Sequence, residues 1–128
     1  MGKLFLVAER EHSVLGFVIV STLIQEWELE NIAVLPAARR QRIGSALMRA
    51  IISAGQRAGA TEIRQEIRAS NLAAQGMGQQ VGFIQDGCRP GYYRDPPEDA
   101  LLFKYLVRTT LRPAESPVGG SEKPGKNR

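Results

Sequence analysis

The segment Asn31 to Met48, NIAVLPAARRQRIGSALM, constrains this chain more than any other. An apolar, strand-like run stops at Pro36, an arginine-rich turn follows, and a helix with an apolar stripe begins near Ile43. The first N–H groups of a helix have no internal acceptor, and the helix dipole makes that end locally positive. Anions bind there. Arg39, Arg40 and Arg42 add formal charge at the helix mouth, and Gly44 would let backbone come close to a ligand. A pyrophosphate suits such a turn. Taken alone, the segment also suits an ordinary strand-to-helix connection with solvated arginines, so the rest of the chain has to decide.

The flanking pattern predicts strands at Lys3 to Glu9, Val14 to Ile24 and Trp27 to Val34, the first two joined as a hairpin through the polar Arg10 to Ser13. Strand alternation would put Glu28, Glu30, Ile32 and Val34 on one face, with Trp27, Leu29, Asn31 and Ala33 on the other. The helix should bury Ile43, Ala46, Leu47, Ala50, Ile51 and Ala54 and stop at Gly59. Thr61 to Arg68 reads as a strand. Ser70 or Asn71 should cap a second, glycine-weakened helix whose core face is Leu72, Ala73, Met77 and Val81. Phe83 to Asp86 and Ala100 to Val107 supply the last strands, with a Gly/Pro-rich loop from Gly87 to Pro97 between them. From Thr109 onward no apolar pattern survives, so the expected organisation is one domain over residues 1–108 and a disordered tail over 109–128. The fold class is α/β in the α+β sense, a mixed sheet flanked by helices.

Composition narrows the function. A net charge of +4 in 128 residues, half of it from the tail, is too diffuse for a nucleic-acid binder, and aromatics are few. No run approaches the ~18 apolar residues of a membrane span, and no secretory signal is visible, so a cytoplasmic protein is expected. His12 and Cys88 are each the only residue of their kind, which leaves no metal cluster, catalytic triad or internal disulfide to propose.

Two segments carry a family likeness. The turn Arg39 to Gly44 resembles the pyrophosphate loop of the GNAT acetyltransferase superfamily, usually written Gln or Arg, two residues, Gly, one residue, Gly or Ala. NIAVLP, EIRASN and VGF, with Tyr92-Tyr93 and Glu98-Asp99-Ala100 beyond them, resemble its RimI-type branch, the ribosomal-protein alanine N-acetyltransferases. The likeness runs from about residue 14 to about residue 107.

This resemblance implies the GNAT acyl-CoA N-acyltransferase fold, acetyl-CoA as donor, and a protein N-terminal α-amine, in a ribosomal protein for example, as acceptor. It implies a donor site made of Ile32, Ala33, Val34, Arg39, Arg40, Gln41, Arg42, Ile43, Gly44, Ser45 and Asn71. Glu66 matches the catalytic base, with Glu28 and Glu30 as alternatives, because related enzymes use a Glu on that strand. Three departures follow. Arg42 replaces the first loop Gly. Gly78 stands where RimI-type enzymes carry a Tyr that protonates the departing thiolate, so Tyr92 or Tyr93 would have to act instead. The usual fold also begins with a strand and one or two helices, roughly forty residues, which are expected to be missing before this hairpin, either because the start is placed too late or because this is a shortened member. Acetylation of a small amine, or acyl-CoA binding without turnover, are the competing readings.

Overall fold

A computed structural model describes residues 2–39 and 42–108; the expected disordered tail lies outside them. The chain runs β1 (Lys3–Arg10), β2 (Ser13–Ser21), β3 (Glu26–Val34), a 3-10 turn (Pro36–Ala38), α1 (Ile43–Ala58), β4 (Glu62–Arg68), α2 (Leu72–Val81), β5 (Ile84–Arg94) and β6 (Pro97–Leu106). The strands form one sheet in the order β1-β2-β3-β4-β6-β5. β3 and β4 are parallel and joined through α1; the other neighbours are antiparallel. A parallel pair requires a crossover, and α1 supplies it.

The β1–β2 hairpin closes through Glu11 and His12, both at positive φ, the geometry of a two-residue turn whose twist matches the strands. α1 buries Leu47, Met48, Ile51 and Ile52 against Val18, Val20, Trp27, Leu29, Ile63 and Phe103. That stripe is rotated from the expected one. Ala46 and Ala50 face outward, because the larger Met48 and Ile52 gain more by burial than two methyl groups do. α1 ends where Gly59 takes a left-handed conformation and returns its N–H to the Gly55 carbonyl.

Four further expectations need correction. β2 stops at Ser21, leaving Leu23 and Ile24 exposed in the turn to β3. The face of β3 changes phase: the register with β2 slips between Ile19 and Val20, a bulge that sets Ile32 and Val34 in the half-buried phase with Trp27 and Leu29 rather than with Glu28 and Glu30. In α2 the residues packed on the core are Ala74, Met77 and Val81, whereas Leu72 is 72% exposed and Ala73 is exposed. Finally, the stretch from Gly87 to Pro97 is mostly strand, not loop. β5 is an edge strand, where a Pro costs no ladder bond, and Pro90 and Gly91 sit in a wide bulge opposite Asp99. The Gly91 N–H donates to Asp99 Oδ1 at 2.8 Å.

Both helices lie on the face of the sheet that carries Ile63, Gln65 and Ile67. The opposite face holds Phe5, Val7 and Phe17 on β1 and β2, and charged side chains on β3 to β6. Gly16, on β2, permits the tight approach to β3: a Cβ there would meet the Ala33 carbonyl oxygen at 2.7 Å, and a backbone atom cannot retreat. Gly16→Ala is therefore expected to destabilise by about 1–3 kcal/mol. Urea unfolding would show a lower midpoint with an unaltered slope.

Candidate active site

After Glu28, β3 and β4 part company. Their ladder comprises Glu26–Glu62, Trp27–Ile63 and Glu28–Arg64. Beyond it opens a cleft of ≈ 860 Å³, walled by Leu29 to Val34 on one side and Gln65 to Arg68 on the other. The mouth of α1 closes one end of this cleft, α2 lines its helix-side wall, and Tyr93 reaches it from β5.

At the α1 end the first helical N–H groups have no side-chain cap. The residue at the cap position, Arg42, is held at φ 63°, ψ 25°. This left-handed conformation costs a non-glycine residue about 1–2 kcal/mol. The position is the one where the motif carries Gly, so the backbone keeps the loop's shape while the side chain adds a charge. Arg39 donates from Nε to the Val34 carbonyl at 3.3 Å, which ties the arginine turn to the end of β3. Arg39, Arg42, Ile43, Gly44 and Ser45 line the cleft; Arg40 and Gln41 lie outside the described residues. Gly44 is buried, and a Cβ on it would meet Met77 Sδ at 2.2 Å. Its close approach is thus to α2. Ser45 is buried as well and donates to Gln80 Oε1 at 3.3 Å.

Asn71 caps α2, its Oδ1 accepting the Ala74 N–H at 3.1 Å, and it borders the cleft. Ile32, Ala33 and Val34 form the β3 wall. Their strand has a partner on the β2 side alone, so the backbone groups directed at the cleft are open to a ligand.

On the face away from the helices, Glu66 pairs with Arg89 Nε at 3.3 Å. The neighbouring arginines on its own strand are engaged elsewhere: Arg64 with Glu62 at 2.5 Å and Asp86 at 3.4 Å, Arg68 with Glu98 at 3.1 Å. Glu66 is thus not held by Arg64 or Arg68, and β4 is an interior strand. Glu30 pairs with Lys3 at 2.5 Å. Glu28 stands near Glu66, and burial together with the Glu66 and Glu30 charges pushes its carboxyl above the ordinary value.

Tyr93 lies under the Arg68 guanidinium, 4.1 Å from the ring centroid, and lines the cleft. Burial, reinforced by Glu66, pushes its phenol up, so it is protonated at neutral pH and able to donate. Tyr92 is 49% exposed and meets Tyr93 edge-on at 5.2 Å. Pairing with Glu98 puts Tyr93 on the face of the sheet that Arg89 shares, and Tyr93, not Tyr92, lines the cleft. Glu98 holds the corner together: hydrogen bonds from Ser70 and from Arg68 keep its carboxyl below the ordinary range.

Four side chains at the site escape a motif reading. Arg89 partners Glu66, Met77 packs on Gly44, Gln80 accepts from Ser45, and Gln65 is a buried polar residue in the cleft wall. Only Gln65 left a trace in the sequence, as a polar residue in the buried phase between Ile63 and Ile67.

The chain matches a known family. Residues 2–83 match the acetyltransferase (GNAT) family, and the chain belongs to it. More particularly, it is 36% identical over 89 residues to the ribosomal protein bS18-alanine N-acetyltransferase of Escherichia coli (strain K12), a match covering 68% of this chain and 60% of that protein. A protein named N-alpha-acetyltransferase, from Sulfurisphaera tokodaii, is 32% identical over 111 residues, covering 77% of this chain and 66% of the relative. The crystal structure of the Escherichia coli ribosomal-protein-S18-alanine N-acetyltransferase superimposes with a TM-score of 0.79 at 29% identity, over 88% of this chain and 74% of that one. The chain thus spans about three fifths of the length of the first of these relatives. Among the described residues no helix is long and apolar enough to cross a membrane.

Proposed function

We propose that the protein is an N-acetyltransferase that moves an acetyl group from acetyl-CoA to the α-amino group of a protein N-terminus, in the cytoplasm. The observation that carries this reading is that one cleft joins an anion-binding helix mouth to a carboxylate and a protonated phenol on the opposite face of the sheet. The residues of the α1 end fit a pyrophosphate: uncapped backbone N–H groups, with Arg39 and Arg42 beside them. The β3 backbone from Ile32 to Val34 offers hydrogen bonds to the donor's arm and to the carbonyl oxygen as it gains charge.

Glu66 then serves as base. An α-amine has a pKa near ~8 against ~10.4 for Lys, so a carboxylate acting directly or through one water is enough to take its proton. Tyr93 supplies the acid that the Gly78 position does not, donating its phenolic proton as the thiolate leaves and regaining it from solvent. Because a thiol of pKa near ~8.5 leaves tolerably well without help, Tyr93→Phe is expected to lower turnover only about tenfold, at unchanged acetyl-CoA affinity. An unaltered rate would remove Tyr93 from the mechanism.

Acceptor class is tested by following thiol release from acetyl-CoA with three amines: a peptide beginning with a free Ala, the same peptide with a blocked N-terminus and an internal Lys, and a panel of small polyamines and aminoglycosides. Release with the first alone is the expected result. Release with the small amines alone would move the protein to small-molecule acetylation, and saturable binding without release in any arm would make it an acyl-CoA binder.

A further inference from the structure

Gln65 sits where strand alternation calls for an apolar side chain. On β4 the inward residues are Ile63, Gln65 and Ile67, and Gln65 is only 6% exposed. Its Oε1 is buried and has no hydrogen-bond partner, among the described residues the one side-chain atom in that condition. The same residue lines the cleft between β3 and β4. Facing it is Gly78, buried in α2. A Cβ placed on Gly78 would lie 3.8 Å from Gln65 Oε1 and 3.5 Å from Phe83 Cβ, so the helix wall opposite the carboxamide ends in a bare backbone.

No side chain of that wall bonds the oxygen, the carboxamides of Asn71 and Gln80 included. Ser45, at the α1 end of the cleft, gives its hydrogen to Gln80. Ile43, Ala74 and Met77 carry no donor. A buried carbonyl oxygen without a partner lowers the stability of the ligand-free fold, and a donor arriving with a ligand removes that cost on binding. The arm of acetyl-CoA carries two amide N–H groups and is the part of the donor that would thread this stretch of the cleft.

We propose that Gln65 contacts the bound acyl donor, its Oε1 accepting a hydrogen bond from an amide N–H of the arm in the space that Gly78 leaves open. This rests on the acetyl-CoA reading above. The contact belongs to this chain's own pairing of Gln65 with Gly78: a larger residue at 78 would fill the space, and an apolar residue at 65 would have nothing to satisfy. The carboxamide exchanges no proton, so its contribution is to hold the arm in register, with the thioester between Glu66 and the β3 backbone.

The test is calorimetric titration of the wild type, Gln65→Leu and Gln65→Met with two probes: acetyl-CoA, and adenosine 3′,5′-bisphosphate, which has the adenosine and two of the three phosphates but no arm. Both variants keep the volume of the side chain without its polar end, and both are expected to melt above the wild type in the absence of ligand. Each should bind acetyl-CoA about tenfold more weakly while binding the bisphosphate as the wild type does. Undiminished acetyl-CoA affinity in both variants would overturn the role of Gln65. So would an equal loss for the two probes, which would mark general damage to the cleft. A wild type that binds neither probe would instead remove the acetyl-CoA reading itself, and this proposal with it.

Discussion

Glu66→Gln is expected to reduce the rate of acetyl transfer by about 10²–10⁴-fold while leaving acetyl-CoA binding intact. The isosteric amide keeps the shape of the β4 wall and loses only the ability to accept the amine's proton. Glu66 is suited to the task by where its neighbours point. Its ionic partner is Arg89 on the edge strand, whereas Arg64 and Arg68 are committed to Asp86, Glu62 and Glu98. Arg89→Ala offers a control, because it removes the partner and keeps the base. The measurement is single-turnover thiol release with a reactive peptide. A Glu66→Gln enzyme within a few-fold of the wild type would shift the base to Glu28, whose raised pKa and position beside Glu66 make it the next carboxylate in line.

The second large effect concerns the α1 mouth. Replacing Arg39 and Arg42 together by Ala should weaken acetyl-CoA binding about 10²-fold. Each arginine offers a charge-assisted hydrogen bond to phosphate oxygens, worth about 1.5–3 kcal/mol before the screening that their exposure brings. The helix-mouth N–H groups remain in the variant, so binding should weaken and not vanish. Screening gives a signature that simple misfolding would not: the gap between wild type and variant should shrink as salt rises from low to several hundred millimolar. A salt-independent gap would mean that Arg39 acts through its bond to the Val34 carbonyl, as a brace for β3, and not through charge.

What could be read from the sequence followed local rules. α1 announced itself by its periodicity and by Gly59, and the β1–β2 hairpin by the polar stretch between two β-branched runs, because both signals depend on neighbours in sequence. The parts that could not be read depend on neighbours in space. The β3 bulge exists because of its pairing with β2, and it reverses the phase of Ile32 and Val34. Gly87 to Pro97 looked like a loop, since Gly and Pro disfavour interior strands; the edge position of β5 removes the objection. At the site, Glu66 and the arginine turn were legible as motifs. The choice of Tyr93 over Tyr92 as the cleft residue was not, since it depends on the pairing of Tyr93 with Glu98 on another strand. Gly44 illustrates the same limit, because its small size answers to Met77 on a helix that begins more than twenty residues later.

The three-pair ladder between β3 and β4 gives the molecule a mechanical seam. β1 to β3 form one leaf and β4 to β6 another, each knitted by ladders at least twice as long, and α1 is strapped across the join. Force or heat applied to the ligand-free protein will therefore find its weakest line between the leaves and not at the sheet's edges. Acetyl-CoA, seated along the gap as proposed, would act as a missing strand, exchanging hydrogen bonds with one leaf while its charged end met the helix that belongs to both. Occupancy of the cleft would then convert two loosely sewn half-sheets into a single unit that opens all at once.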